Sequence, residues 1–204
     1  MTTKHHRAKP LPPEDRRQAI AHAIVPLLLA KGSAVTSREI AEAAGVAEGT
    51  IFSVFEDKSA VIHAALESSM DPTSVCDALA SIPESAPLQP QLEAAATILV
   101  ERSEKVAALV GIMRSTFPPH SHALAGPPRF IAESNRAILA ALTELLSRHS
   151  DRLRMNPTRA AIALRGIVFA NSHPILGSDE RMQPGEIVDL LLHGIAAADN
   201  ETST

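Results

Sequence analysis

Ser121 stands between His120 and His122, the sort of pairing in which an imidazole could activate a nucleophile. The surroundings argue against it. The triplet lies in PPHSHALAGPP, residues 118–128, and lacks an orienting acid and an oxyanion hole. The same two histidines could ligate a metal, but no cysteine or acidic cluster accompanies them. His5 and His6 are adjacent in a polar tail and lack preorganised further ligands. No glycine-rich phosphate loop is present. Cys76 is the one cysteine, so no internal disulfide can form, and a reducing interior suits it. It reads as a small apolar residue, since redox sensing would need an exposed thiolate. The expectation is a chain with no enzymatic activity, no metal and no cofactor.

A different chemistry is written between Thr36 and Lys58, TSREIAEAAGVAEGTIFSVFEDK. Ile40, Ala41 and Ala44 share one face at helical spacing. Thr36 or Ser37 is a natural N-cap, and Glu39 or Glu42 places negative charge early in the helix. Gly45 supplies a left-handed stop and Val46 plugs the corner. A second short helix follows, roughly Ala47 to Phe55, with Ile51 and Val54 or Phe55 turned inward. Helix, glycine turn and short helix make a helix-turn-helix, whose second helix enters the major groove of DNA. The exposed face of that helix offers Ala47, Glu48, Thr50 and Ser53, with Phe52 near the backbone. These side chains are mostly short. They predict few bidentate base contacts, reliance on thymine methyls and DNA shape, and modest specificity. The competing reading of the same spacing is an αα-hairpin that serves only as scaffold.

The residues themselves resemble the DNA-binding domain of the tetracycline-repressor (TetR) family. The likeness runs from Arg17 to about Leu66. It rests on Ile20, Ala23, Gly32, Thr36, Ile40, Ala41, Ala44, Gly45, Val46, Gly49, Thr50, Phe55 and Lys58. Phe52 stands where the family usually has Tyr, and Ser53 where a longer basic or aromatic residue is frequent. The loop from Gly32 to Ile40 is one residue shorter than the commonest form, and Pro26 falls inside the first helix. The resemblance implies that Lys58 contacts phosphate at a helix start and that Arg17 reaches another. The candidate DNA-binding set is Arg17, Thr36, Ser37, Arg38, Ala47, Glu48, Gly49, Thr50, Phe52, Ser53 and Lys58.

Around this stretch the 204-residue chain is 45% hydrophobic and 21% charged, an ordinary globular composition. It has five Phe, no Trp and no Tyr, so its core must be aliphatic. Ala- and Leu-rich segments favour helix, and no alternating strand pattern stands out. Residues 61–204 hold eleven basic and sixteen acidic residues. DNA contact must therefore come from the N-terminal part, through a small footprint. Met1 to Pro13 is polar and basic, and reads as a disordered tail or an arm that follows a groove. It has no apolar signal-peptide region, and no apolar run is long enough to span a bilayer, so a cytoplasmic location is expected.

The elements that must position these residues follow in order. Glu14 to Lys31 is a helix with a kink expected at Pro26. A fourth helix starts near Lys58, capped by Asp57 or Glu56, kinks at Pro72 and resumes to about Ser81. A linker, residues 82–90, precedes a helix from Gln91 to Phe117 with a break possible at 103–105. Helices 130–149, 158–172 and 186–198 complete the chain. The last two are apolar on more than one face, so both faces must be buried, within one subunit or against a second. A helical chain this short has few internal layers, which favours a homodimer. The family resemblance implies the same pair of helices. The candidate interface is Ala163, Gly166, Ala170, Val188, Leu191, Leu192 and Ile195, and on the last helix either Leu191 with Ile195 or Val188 with Leu192 faces the partner while the other pair faces the subunit's own core. Met113, Phe117, Phe130 and Phe169 are the candidate lining of an effector pocket, for an apolar rather than a highly charged ligand.

The expected fold is all-α with about nine helices: a tail at 1–13, a helix-turn-helix domain at 14–58, a helical effector-binding and dimerisation domain at 59–199, and a frayed end at 200–204. The expected function is a repressor that binds a palindromic DNA operator as a dimer and is released by a small apolar ligand. The rival is a helical carrier or enzyme that keeps the hairpin as scaffold.

Overall fold

The computed structural model describes residues 12–116, 129–173 and 180–194, and no strand occurs among them. Nine α-helices appear in those residues: α1 (Pro13–Lys31), α2 (Ser37–Ala44), α3 (Glu48–Val54), α4 (Lys58–Ser69), α5 (Thr73–Ala80), α6 (Leu88–Thr116), α7 (Arg129–Ser147), α8 (Pro157–Ser172) and α9 (Pro184–His193). The chain is all-α. It forms two compact units, Met1–Ser69 with Ala108–Ala123, and Met70–Ala107 with Leu124–Thr204.

In the first unit α1 packs along α4, α2 and α3. Its buried stripe, Ile20, Ile24 and Leu28, meets Ile40, Ile51, Phe55, Val61 and Ile62. Full burial of each such side chain is worth about 1.5–3 kcal/mol, which is what fixes short helices that would not form alone. Gly32 ends α1 with φ 60°. α1 continues as one helix through Pro26, where a kink was expected. Pro26 and His22 both lie on the exposed face, so the His22 carbonyl that loses its amide partner can turn to water.

In the second unit α7 packs on α5 and α8, and α8 on α9. The core is aliphatic as composition required: Leu79, Leu92, Leu99, Ile138, Leu142, Leu145, Leu164, Val168, Ile187 and Val188 are buried. Pro72 does not kink one long helix. It separates α4 from α5, since its ring cannot donate and the residue before it is steered away from helix. Conversely α6 runs unbroken through residues 103–105. The segment before it is tied down by Gln91. This fully buried amide donates from Nε2 to the carbonyls of Pro83 (3.0 Å), Glu84 (3.2 Å) and Ala86 (2.8 Å).

Candidate nucleic-acid interface

The geometry around α2 and α3 is set by caps. Thr36 Oγ1 accepts from the Glu39 amide (3.3 Å), and Glu39 Oε2 accepts from the Thr36 amide (2.8 Å), a reciprocal capping box. Lys31 Nζ donates to the second oxygen of Glu39. The ammonium first, and the Thr36 amide and hydroxyl after it, hold the Glu39 carboxyl down at about 2. Gly45, φ 66°, donates from its amide to the carbonyls of Ala41 and Glu42 and turns the chain. A side chain there would be strained by the positive φ.

α3 hangs from this corner by Ile51 and from its far end by Phe55, both buried. Its outer face carries Ala47, Glu48, Gly49, Phe52 and Ser53, all exposed, with Thr50 half-buried. Phe52 keeps 51% of its surface exposed, although it is the largest apolar group on the helix. The Ser53 hydroxyl donates to the Thr50 carbonyl at 2.8 Å, so its proton is already engaged. What remains outward is short, apolar or acidic. That surface suits contact with thymine methyls and acceptance from a cytosine amine better than bidentate reading of guanine.

Two basic residues of the candidate set are held within the unit. The Arg17 guanidinium lies 4.5 Å from the centroid of the Phe55 ring, and Nη1 donates to the Val54 carbonyl at 3.4 Å. It therefore braces the C-terminal end of α3, a role that composition and spacing did not reveal. Lys58 Nζ donates to the Ser33 carbonyl at 2.6 Å, which ties the start of α4 to the turn after α1. Arg38 is exposed and pairs with Glu42 at 3.1 Å, one turn along α2. Thr36 is exposed beside its box, and Ser37 is half-buried. Asp57 caps α4 by accepting from the Ala60 amide at 2.8 Å.

Residues 20–65 match the family model described as bacterial regulatory proteins, tetR family. The helix-turn-helix segment is therefore similar to the DNA-binding domain of that family. The fold of the longer chain agrees. A TetR transcriptional regulator from Streptomyces coelicolor superimposes with a TM-score of 0.56 at 24% identity, covering 87% of this chain and 97% of that one. A TetR-family regulator from Mesorhizobium loti gives 0.56 at 16%, covering 90% and 96%. The transcriptional regulator FadR from Bacillus subtilis, solved with stearoyl-CoA, gives 0.53 at 18%, covering 87% and 98%. No curated protein sequence matches the chain. The matched segment contains the helix-turn-helix, and the likeness to the solved structures extends the same fold over most of the chain.

The other candidate sites fare differently. Phe169, expected to line a pocket, is a correction: it is 57% exposed on the outer face of α8, its ring tilted 46° to that of His173 with centroids 5.0 Å apart. The α8 periodicity explains this, because Leu164 and Val168 take the inward positions. Phe130 is half-buried at the start of α7, while Phe117 and the Met113 side chain lie outside the described residues. Val188 belongs to one of the two pairs on the last helix between which the sequence left the outward face open. It is fully buried in the subunit's own core beside Ile187. Leu191 and Leu192 are half-buried against that core, Ala163 is half-buried, and Gly166 and Ala170 are exposed. Ile195, the 1–11 segment, and the His120–His122 triplet lie outside the described residues. Cys76 is half-buried, and burial pushes its thiol pKa up, against the opposing charge of Arg102. Among the described residues no helix is long and apolar enough to cross a membrane.

Proposed function

We propose that this chain is a homodimeric transcriptional repressor that binds a palindromic operator and leaves it when a ligand with a large apolar part binds. The observation that carries the reading is the outward face of α3, held at both ends by Gly45 and by Arg17 on Phe55, inside the segment that matches the tetR family model. Two such helices in a dimer would enter successive major grooves about 34–36 Å apart. The partner surface we assign is the outer face of α8. Ile162 and Phe169, 54% and 57% exposed, lie two turns apart there with Gly166 between them. Large apolar groups left so open on one face call for a covering surface.

Release follows from linkage. A ligand that prefers the dimer with its helices wrongly spaced weakens operator binding by the same factor that the operator weakens the ligand. FadR, which shares the fold, is solved with stearoyl-CoA, an apolar chain on a large head group. A long acyl chain is the model we adopt for the apolar part here. The test is an electrophoretic shift of the DNA flanking the chain's own gene, with footprinting. The expected result is one complex covering two half-sites with dimer stoichiometry. A chain that shifts no such DNA would return the hairpin to a scaffold.

A further inference from the structure

α7 carries two neighbouring residues, Ser134 and Asn135, that each receive an arginine from a different helix. From α6, Arg102 Nη2 donates to Ser134 Oγ at 2.7 Å and to the Met70 carbonyl at 2.9 Å, and Nη1 donates to the Asp71 carbonyl at 3.2 Å. From α8, Arg165 Nη1 donates to the Asn135 carbonyl at 3.1 Å and Nη2 to Asn135 Oδ1 at 2.8 Å. Both arginines are half-buried, and Ser134 is 1% exposed. Arg102 occupies the apolar stripe of α6, three residues after Leu99 and four before Val106, where an aliphatic side chain is the ordinary choice.

The charge balance of this pair is uneven. Burial lowers the pKa of both guanidinium groups, and Arg165 is near enough to push Arg102 further down while Cys76 and Asp71 oppose it. Among the described residues no carboxylate forms an ion pair with Arg165. A guanidinium has five N–H donors in a planar fork, and Asn135 takes two of those of Arg165. The rest can meet a two-oxygen acceptor. An anion at the open edge of Arg165 offsets the desolvation of that guanidinium and eases the repulsion that Arg165 exerts on Arg102.

We propose that Arg165 and Arg102, seated on Asn135 and Ser134, form an anion subsite for the carboxylate or phosphate end of an amphiphilic effector. This rests on the reading of the chain as a ligand-released regulator. It alters the ligand class: the apolar part stays, and a charged head is added to it. Arg165 is the binding group, because its fork is open. Arg102 adds charge and is held by the turn between α4 and α5 as well.

The test uses the full chain with decanoate, decyl phosphate and decanol, below their aggregation limits, read by calorimetry and in parallel by release of shifted DNA. Wild type should bind one of the two anions at least about tenfold more tightly than decanol, the margin expected of a charge-assisted bidentate pair. The better of the two identifies the head group. Arg165→Gln, checked for helix content by circular dichroism, should lose that margin and keep its affinity for decanol. Arg165→Lys keeps charge without the planar fork and should lose part of the margin, so the test survives an unfolded Gln variant. Equal affinity for all three compounds, no binding of any, or anion binding unchanged in both variants would each overturn the subsite. Arg165-dependent anion binding that leaves DNA bound supports the subsite and removes the release mechanism. Release by decanol as strong as by the anions does the opposite.

Discussion

The polar contacts of the helix-turn-helix and those of the α6–α8 bundle differ in reach. Around α2 they are local: Thr36 with Glu39 three residues on, Arg38 with Glu42 four on, Lys31 with Glu39 eight on. In the bundle they span distant segments: Arg165 reaches Asn135 thirty residues back, Arg102 reaches Ser134 thirty-two on, and Arg181 reaches Glu104 seventy-seven back. A local contact is written into the spacing of the residues, because helix geometry brings positions three and four apart together. A distant one exists only after the core has packed. The α2 corner of the helix-turn-helix is therefore specified by its string of residues, whereas these arginine contacts of the bundle arise only with its tertiary structure.

The largest effect that can break this contrast lies in the bundle. Val188→Glu places a carboxylate in a fully buried site, at a cost of several kcal/mol, and should unfold the second unit. Phe169→Glu changes a side chain that is already 57% exposed, so the subunit should stay folded. If the outer face of α8 meets a second copy, that variant should sediment as a monomer and fail to shift DNA. A folded Phe169→Glu that remains dimeric moves the interface elsewhere. A Val188→Glu that melts like wild type would show that the core does not depend on distant packing in the way argued above.

A middle-sized effect is expected at Asn171. Its amide donates to the Met182 carbonyl at 3.0 Å and its oxygen accepts from the Met182 amide at 2.8 Å, closing the stretch between α8 and α9 with a paired contact. Asn171 is 8% exposed and Met182 is half-buried, so loss of the side chain leaves a part-buried backbone amide and carbonyl unpaired. Asn171→Ala should lower unfolding free energy by about 1–3 kcal/mol in urea titrations. A variant within about 0.5 kcal/mol of wild type would show that water replaces the pair.

These cases mark how far the sequence reaches. The all-helical class, the Gly45 corner, the Thr36 cap and the inward Ile40, Ile51 and Phe55 were legible because each depends on neighbours within a turn or two. The TetR resemblance located the same stretch that the family model matches. Arg17 on Val54 and Lys58 on Ser33 were not legible, since they join residues 37 and 25 positions apart. Phe169 was misplaced because apolarity was taken for burial, whereas the phase of α8 turns it outward. For the last helix the sequence left open whether Val188 with Leu192 or Leu191 with Ile195 turns inward. The phase of α9 puts Ile187 and Val188 together inside, a choice that an all-round apolar helix does not announce. Arg102 did leave a trace, as a charge inside an apolar stripe.

The two non-local contacts of the N-terminal unit give a finer test, in DNA binding. Lys58→Ala should weaken operator and random DNA alike and flatten the slope of log K against log salt by about two units per dimer, if the ammonium leaves Ser33 for a phosphate. Arg17→Ala should weaken operator binding with little change in salt slope, because its guanidinium braces Phe55 and Val54. A full unit of slope per subunit lost at Arg17 would make it a phosphate contact. An unchanged slope at Lys58 would leave it as a tie between the α4 start and the turn after α1.

The smallest effect belongs to the most local contact, and its sign is fixed by the capping box. Glu39 titrates at about 2 where an ordinary glutamate titrates at 4.5, chiefly because Lys31 and then Thr36 donate to it. A carboxylate whose folded pKa is depressed contributes stability that is fully present above the unfolded value. That contribution fades as the pH falls from about 4.5 towards 2. Glu39→Gln keeps an acceptor for the Thr36 amide and loses the charge that faces Lys31. The variant should therefore melt slightly below wild type at pH 7, and the gap should narrow steadily as melting is repeated from pH 5 down to pH 3. The carboxylate is solvent-exposed, so salt should narrow the gap at pH 7 as well. A gap that stays constant across that range would mean that the charge contributes nothing and that the cap works by hydrogen bonding alone. In that case the local half of the molecule is held as neutrally as its caps allow, and the electrostatic contrast with the arginines of α6 and α8 becomes sharper.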